Sequence, residues 1–127
     1  MTETEFNTLA AQGYNRIPVT LETFADLDTP LSIYLKLANA PYTYLLESVQ
    51  GGERFGRYSI IGLAASTRIV VTGHQVMVLT GNRVAEREDD TNPLEFIGKF
   101  MARFRAAPQA GLPRFCGGLV GCFGYDT

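Results

Sequence analysis

Two β-prone apolar runs on either side of a Gly-Gly turn, between Tyr44 and Gly62, constrain this chain more than any other feature. Tyr44-Leu45-Leu46 is broken at once by a carboxylate and a hydroxyl, Glu47-Ser48. A charged turn follows at Gln50-Gly51-Gly52-Glu53-Arg54, and Phe55-Gly56-Arg57-Tyr58-Ser59 leads back into Ile60-Ile61. Such a pattern reads as a hairpin or a bulged crossover between neighbouring strands. Pairing would bring Glu47-Ser48 close to Tyr58-Ser59, setting one carboxylate, two hydroxyls, a phenol and nearby guanidinium groups at the end of an apolar wall. A mostly apolar surface with a few convergent polar groups is the usual form of a small-molecule site. The carboxylate suits a ligand ammonium, and the hydroxyls and backbone N–H groups suit a ligand carboxylate. An amino acid with a large apolar side chain meets both demands. The competing reading is an ordinary strand end, with Glu47 solvated and Ser48 in a turn. Arg54 and Arg57 divide in the same way, between a ligand carboxylate and structural ion pairs with Glu47 or Glu53.

The rest of the chain supplies a framework for that hairpin. Residues 2–12 read as a short helix with Thr2 or Thr4 as N-cap, Phe6, Leu9 and Ala10 on one face, and Gly13 as the stop. From Arg16 to Phe24, Ile17, Val19 and Leu21 alternate with Pro18, Thr20 and Glu22, which predicts a half-buried strand with Pro18 at an edge or start. Asp28 or Thr29 then caps a helix with Pro30 in its first turn and Leu31, Tyr34, Leu35 and Ala38 on its apolar face. Strands are expected at Tyr42–Val49, Tyr58–Leu63, Arg68–Thr72, Gln75–Thr80 and Arg83–Arg87, joined by tight turns at Gly73-His74 and Gly81-Asn82. Glu86–Asp90 reads as a solvated loop. Asn92 caps a third helix, with Pro93 in the first turn and Leu94, Ile97, Phe100, Met101 and Phe104 as its buried stripe. Lys99, Arg103 and Arg105 put positive charge toward its C-terminal end, as the helix dipole favours. Arg114–Tyr125 is an apolar, strand-like segment whose four glycines suggest close packing or a bulge. Together these elements predict an α+β domain over residues 1–127, a mainly antiparallel β-sheet with two to three packed helices. The chain stops at Asp126-Thr127 with no closing element, as a truncated domain would.

Composition narrows the function classes. An apolar fraction of 46% with 19% charged residues is that of an ordinary globular protein. A net charge of −2 gives no electrostatic reason to expect nucleic acid or an anionic membrane as partner. No apolar run approaches the roughly 20 residues of a membrane span. The acidic N-terminus lacks the basic region of a secretory signal, so the cytoplasm is the default location. Cys116 and Cys122, placed on one extended strand, would be about 20 Å apart. A disulfide needs roughly 4.4–6.8 Å between Cα atoms, so they are not expected to pair with each other. Gly51 and Gly56 have the spacing of a phosphate loop, but Arg57-Tyr58 stand where Lys and Ser or Thr are required. The glycines at 117, 118, 121 and 124 contain no dinucleotide-binding fingerprint. His74 sits in a turn without a nucleophile or second histidine in prospect, and Glu86, Glu88, Asp89 and Asp90 lack the ligand spacing of a calcium loop. Neither a catalytic nor a metal-binding constellation assembles.

Leu45-Leu46-Glu47-Ser48 and Gly52-Glu53-Arg54-Phe55-Gly56-Arg57-Tyr58-Ser59-Ile60-Ile61-Gly62 resemble the N-terminal signature of the large, chorismate-using subunit of anthranilate synthase. Ile17-Pro18-Val19, Asp28-Thr29-Pro30-Leu31-Ser32 and Gly117–Asp126 match the same family in order and spacing. Cys122 departs from it, standing where an aromatic residue is expected. The resemblance implies a longer parent that converts chorismate to anthranilate and pyruvate with magnesium, using ammonia from a separate glutamine amidotransferase subunit. It also implies that the magnesium and chorismate sites lie C-terminal to this chain, which alone would be inactive. What this part would carry is the L-tryptophan feedback site. Glu47 would face the ligand ammonium, Ser48 would offer hydroxyl and backbone contacts, Ser59 with Ile60 would form the opposite wall, and Val49 and Tyr58 would help to close it. Two alternatives stay open: the chorismate-aminating subunit of 4-aminobenzoate synthesis, whose N-terminal domain is similar, and a stand-alone amino-acid-binding module.

Overall fold

The structure is a computed structural model that describes residues 1–47 and 58–124. Its elements follow in the order α1 (Glu3–Ala11), α2 (Pro30–Leu37), β1 (Tyr44–Glu47), β2 (Ser59–Gly62), β3 (Thr67–Thr72), β4 (Gln75–Thr80), β5 (Arg83–Glu88) and α3 (Pro93–Ala102). β1 and β2 form an antiparallel pair, and β3-β4-β5 form a three-stranded sheet in sequence order. The mixed α+β class is as the sequence predicts. The chain divides into two compact units, one made of Met1–Glu22, Val71–Val76 and Arg87–Thr127, the other of Thr23–Val70 and Met77–Glu86.

Each helix begins where its capping residues place it. The Thr2 hydroxyl accepts from the Glu5 amide while the Glu5 carboxylate accepts from the Thr2 amide at 2.6 Å, a complete capping box. Thr29 and Ser32 make the equivalent reciprocal pair at α2, with Pro30 in the first turn. Asn92 Oδ1 accepts from the Leu94 and Glu95 amides at the start of α3. The hairpin turns are equally local in origin. Gly73 and Gly81 both have φ +58, while His74 and Asn82 do not enter the left-handed region. A positive φ at the first central residue is the sign pattern of a type II′ turn, which suits the twist of the flanking strands and requires glycine at that place.

In the first unit, Val76, Phe96, Phe100 and Ala107 are buried. Phe96 and Phe100 stack with ring centroids 6.3 Å apart, and Phe104 meets Phe100 edge-on at 5.3 Å. The N-terminal segment is fastened to the end of α3 by Asn15. Its Nδ2 donates to the Arg103 carbonyl (2.8 Å), its Oδ1 accepts from the Arg105 amide (2.7 Å), and its own amide donates to the Arg105 carbonyl (3.1 Å). Arg16 continues the junction through an isolated parallel bridge to Ala106, and its guanidinium lies 4.3 Å from the centre of the Phe104 ring. In the second unit, Ala38 and Val78 are buried, and α2 packs against β2.

Four expectations are corrected. No strand forms at Arg16–Phe24; beyond the bridge at Arg16 the chain is irregular, and Val19, Leu21 and Phe24 are exposed. A strand needs a partner for its amides, and alternation alone does not supply one. Arg114–Gly124 likewise holds no strand: Gly117 and Gly118 take φ +148 and +141, which ladder residues do not adopt. The cysteines there are free and exposed, so the separation inferred from an extended strand loses its premise. β5 runs to Glu88, one residue past the strand expected at Arg83–Arg87, so the loop expected at Glu86–Asp90 is confined to its last two residues, and Asp89 there pairs with Arg87 and accepts from Gln75 Nε2 at 2.6 Å. On α3 the buried residues are Phe96 and Phe100, with Ile97 and Phe104 half-buried, whereas Leu94 and Met101 are exposed.

Candidate functional site

The candidate residues gather on the β1–β2 pair. Its register sets Tyr44 opposite Gly62, Leu45 opposite Ile61, Leu46 opposite Ile60, and Glu47 opposite Ser59. Directly opposed residues of an antiparallel pair share a face, and successive residues alternate between faces. Glu47 and Ser59 therefore stand side by side at one end of the pair, both exposed, on the face that continues inward to the half-buried Leu45 and Ile61. A carboxylate and a hydroxyl open to solvent beside an apolar floor can grip a small zwitterion by its polar end and cover its apolar end.

Ile60 pairs with Leu46 and so takes the other face of the ladder. Tyr58 immediately precedes β2 and is exposed. Ser48 and Val49, like Arg54 and Arg57, lie outside the described residues. The pairing thus brings Glu47 and Ser59 together on one face, while Ile60 would reach the same ligand only around the strand edge.

Two features that the sequence reading missed fix this pair in place. At its far end the Tyr44 ring lies across Gly62, so closely that a Cβ built at Gly62 would collide with Tyr44 Cε1. Any side chain there would displace the ring and shift the partner strand. The signal was an aromatic residue and a glycine at the two outer ends of the apolar runs, legible only once the register is known. Just before β1, Tyr42 has φ +63, a left-handed conformation rare for a bulky residue. The Arg68 guanidinium covers its ring at 3.7 Å and donates to the Gly81 carbonyl at 2.8 Å, and the Ala65 amide donates to the Tyr42 carbonyl at 3.1 Å. Tyr34 and Thr43 share a 2.8 Å hydroxyl contact, and Thr43 also donates to the Ala40 carbonyl, tying α2 to the entry of β1. Strain at Tyr42 is thereby held by contacts on three sides.

Elsewhere, a cavity of about 530 Å³ is lined by Met1, Thr4, Glu5, Thr8, Leu9 and Gln109. It belongs to the first unit, opens broadly to solvent, and contains none of the candidate residues. The carboxyls of Asp28 and Asp89 are held below their ordinary values by hydrogen bonds, Asp28 from Lys36 and Ser32, Asp89 from Arg87 and Gln75. These are surface pairs that fasten local structure. Among the described residues no group of three or more His, Cys, Asp or Glu side chains could hold a metal ion. Nor is any helix of the described residues long and apolar enough to cross a membrane.

Comparison with known proteins gives a consistent result. The chain is 60% identical over 126 residues to anthranilate synthase component 1 of Pseudomonas aeruginosa, a match that covers 99% of this chain and 26% of that protein. It is 59% identical over 123 residues to the protein of the same name from Neisseria meningitidis serogroup B, covering 97% of this chain and 25% of that one. Against the Acetivibrio thermocellus protein of that name it is 43% identical over 119 residues. No protein-family model matches the chain. No solved structure matches it. The chain spans about a quarter of the length of the curated relatives it matches. In sequence, it is homologous to an N-terminal fragment of anthranilate synthase component 1.

Proposed function

We propose that this chain is the regulatory N-terminal part of an anthranilate synthase component 1 and that it carries an L-tryptophan feedback site at the β1–β2 pair. The observation that supports the reading is the pairing of Glu47 with Ser59 on one face, beside Leu45 and Ile61. In this reading the Glu47 carboxylate takes the ligand ammonium. Ser48 and Ser59 offer hydroxyl and backbone N–H groups to its carboxylate, and the indole lies on the apolar face, with Val49, Tyr58 and Ile60 closing the sides. Catalysis, converting chorismate to anthranilate and pyruvate with ammonia from the glutamine amidotransferase component 2, belongs to the remainder of the longer protein, together with its magnesium.

Regulation then follows from linkage. Tryptophan shifts the enzyme by binding one conformation more tightly than another, and chorismate must weaken tryptophan binding by the same factor.

The test is calorimetric titration of the chain with L-tryptophan, beside a Glu47→Ala variant shown by circular dichroism to be folded. Saturable binding is expected, weakened at least roughly tenfold in the variant, because a charge-assisted contact is lost. Binding that survives Glu47→Ala unchanged would remove the carboxylate from the site. The absence of binding by a folded chain would show that this part does not form a self-sufficient site.

A further inference from the structure

The segment Ile17–Phe24 has the pattern of a strand, yet among the described residues no strand pairs with it. No hydrogen bond joins it to any described residue. Its apolar side chains are turned out: Val19 is 68% exposed, Leu21 92% and Phe24 95%. Leu27, shortly after, is fully exposed. Isolated exposed leucines are ordinary on protein surfaces, but consecutive alternating positions left almost wholly in water are not.

The backbone decides what kind of surface can cover such a segment. Covering Val19 and Leu21 also removes the adjoining amides from water, and each buried N–H and C=O must then find a partner. A helix has no spare backbone groups along its sides and would leave these amides unpaired. The edge of a β-sheet satisfies them while its alternate side chains meet Val19 and Leu21. Pro18, which lacks an N–H, stands at the start of the segment, the place in a strand where proline is tolerated. The relatives supply the occupant: about three quarters of their length lies outside the region matched by this chain.

We infer that Ile17–Phe24 is a docking strand by which this chain adds to a sheet edge in the polypeptide that follows the matched region in those relatives. The inference does not depend on the tryptophan reading. Failure of ligand binding would leave it standing, and its own failure would leave the β1–β2 site untouched.

Amide hydrogen exchange on the 127-residue chain tests it. The chain is measured alone at two concentrations, then mixed with the remaining part of the Pseudomonas aeruginosa relative produced as a separate polypeptide. Alone, the amides of Val19–Phe24 are expected to exchange within about tenfold of unstructured rates at both concentrations. In the mixture they are expected to slow by roughly a hundredfold or more. Leu21→Lys should weaken the association at least about tenfold, and Thr20→Lys, on the other side of the strand, less than about threefold. Both positions are exposed, so each variant should keep the exchange pattern of the core around Val76 and Phe100. Protection in the isolated chain at both concentrations would overturn the inference. Protection that rises with chain concentration would assign the strand to a second copy instead. Absence of association, or association that leaves these amides unprotected, would reject it.

Discussion

Asn15 shows how much one side chain can organise. It donates to one carbonyl and accepts from one amide on the far side of α3, contacts that the sequence could not announce because the partners lie 88 and 90 residues away. Asn15→Ala should lower stability by about 1–2 kcal/mol, two hydrogen bonds at their usual net value, read as a fall in the urea midpoint with unchanged slope. Gly62→Ala should cost about 1–3 kcal/mol through overpacking against Tyr44, and Gly62→Ala combined with Tyr44→Ala should recover part of that loss. The surface ion pairs give a pH dependence whose sign is fixed. Asp28, Asp89, Glu5 and Glu95 are all held below their ordinary values, Glu5 chiefly by the Thr2 amide and Glu95 by Lys99. Their contribution is therefore complete above the unfolded carboxylate values and disappears as pH falls through the lower folded ones. Lys99, raised by Glu95, contributes below its unfolded value and loses that contribution as pH rises through the folded one. Thermal stability should be flat near neutrality and fall below about pH 4, with the acid limb flattened by salt because all of these groups but the half-buried Asp28 are exposed.

At the scale of elements, what was legible in the sequence was what neighbours in the chain decide. The caps could be narrowed to Thr2 or Thr4, to Asp28 or Thr29, and to Asn92, because a cap is satisfied within three residues, and Gly73 and Gly81 could be read as turns because a sign of φ is a local property; the structure selects Thr2 and Thr29. Thr29→Ala should accordingly destabilise α2 by about 1 kcal/mol, measurable by thermal melting. The buried stripe of α3 was less legible. Leu94, Phe96, Ile97, Phe100, Met101 and Phe104 surround much of the helix, and the 96-100-104 ladder prevails because the three rings engage one another at 6.3 and 5.3 Å. Phe100→Ala, at the centre of that ladder, should cost about 3–5 kcal/mol. A strand is the opposite case from a cap. Its partner can lie anywhere, and so alternation at Arg16–Phe24 described a strand's surface without ensuring a strand. The β1–β2 pair could be anticipated because its two halves are close in sequence, and the meeting of Glu47 with Ser59 follows from that closeness.

For the molecule as a whole, the two units draw on separated stretches of one chain, and each keeps its own small buried centre. The division was invisible in the sequence, because no linker of distinct composition marks it. Resemblance to the N-terminal fragment of anthranilate synthase component 1 was visible, since it rests on several short motifs in register along nearly the full chain. The segment Ile17–Phe24 also has a meaning for a protease. Proteolytic clefts bind their substrates as extended chain with free amides and carbonyls, and chymotrypsin prefers large apolar residues at the point of cleavage. Leu21 and Phe24 present both requirements without any unfolding, so brief digestion should nick the chain after one of them before any bond in α3 or β4 is cut.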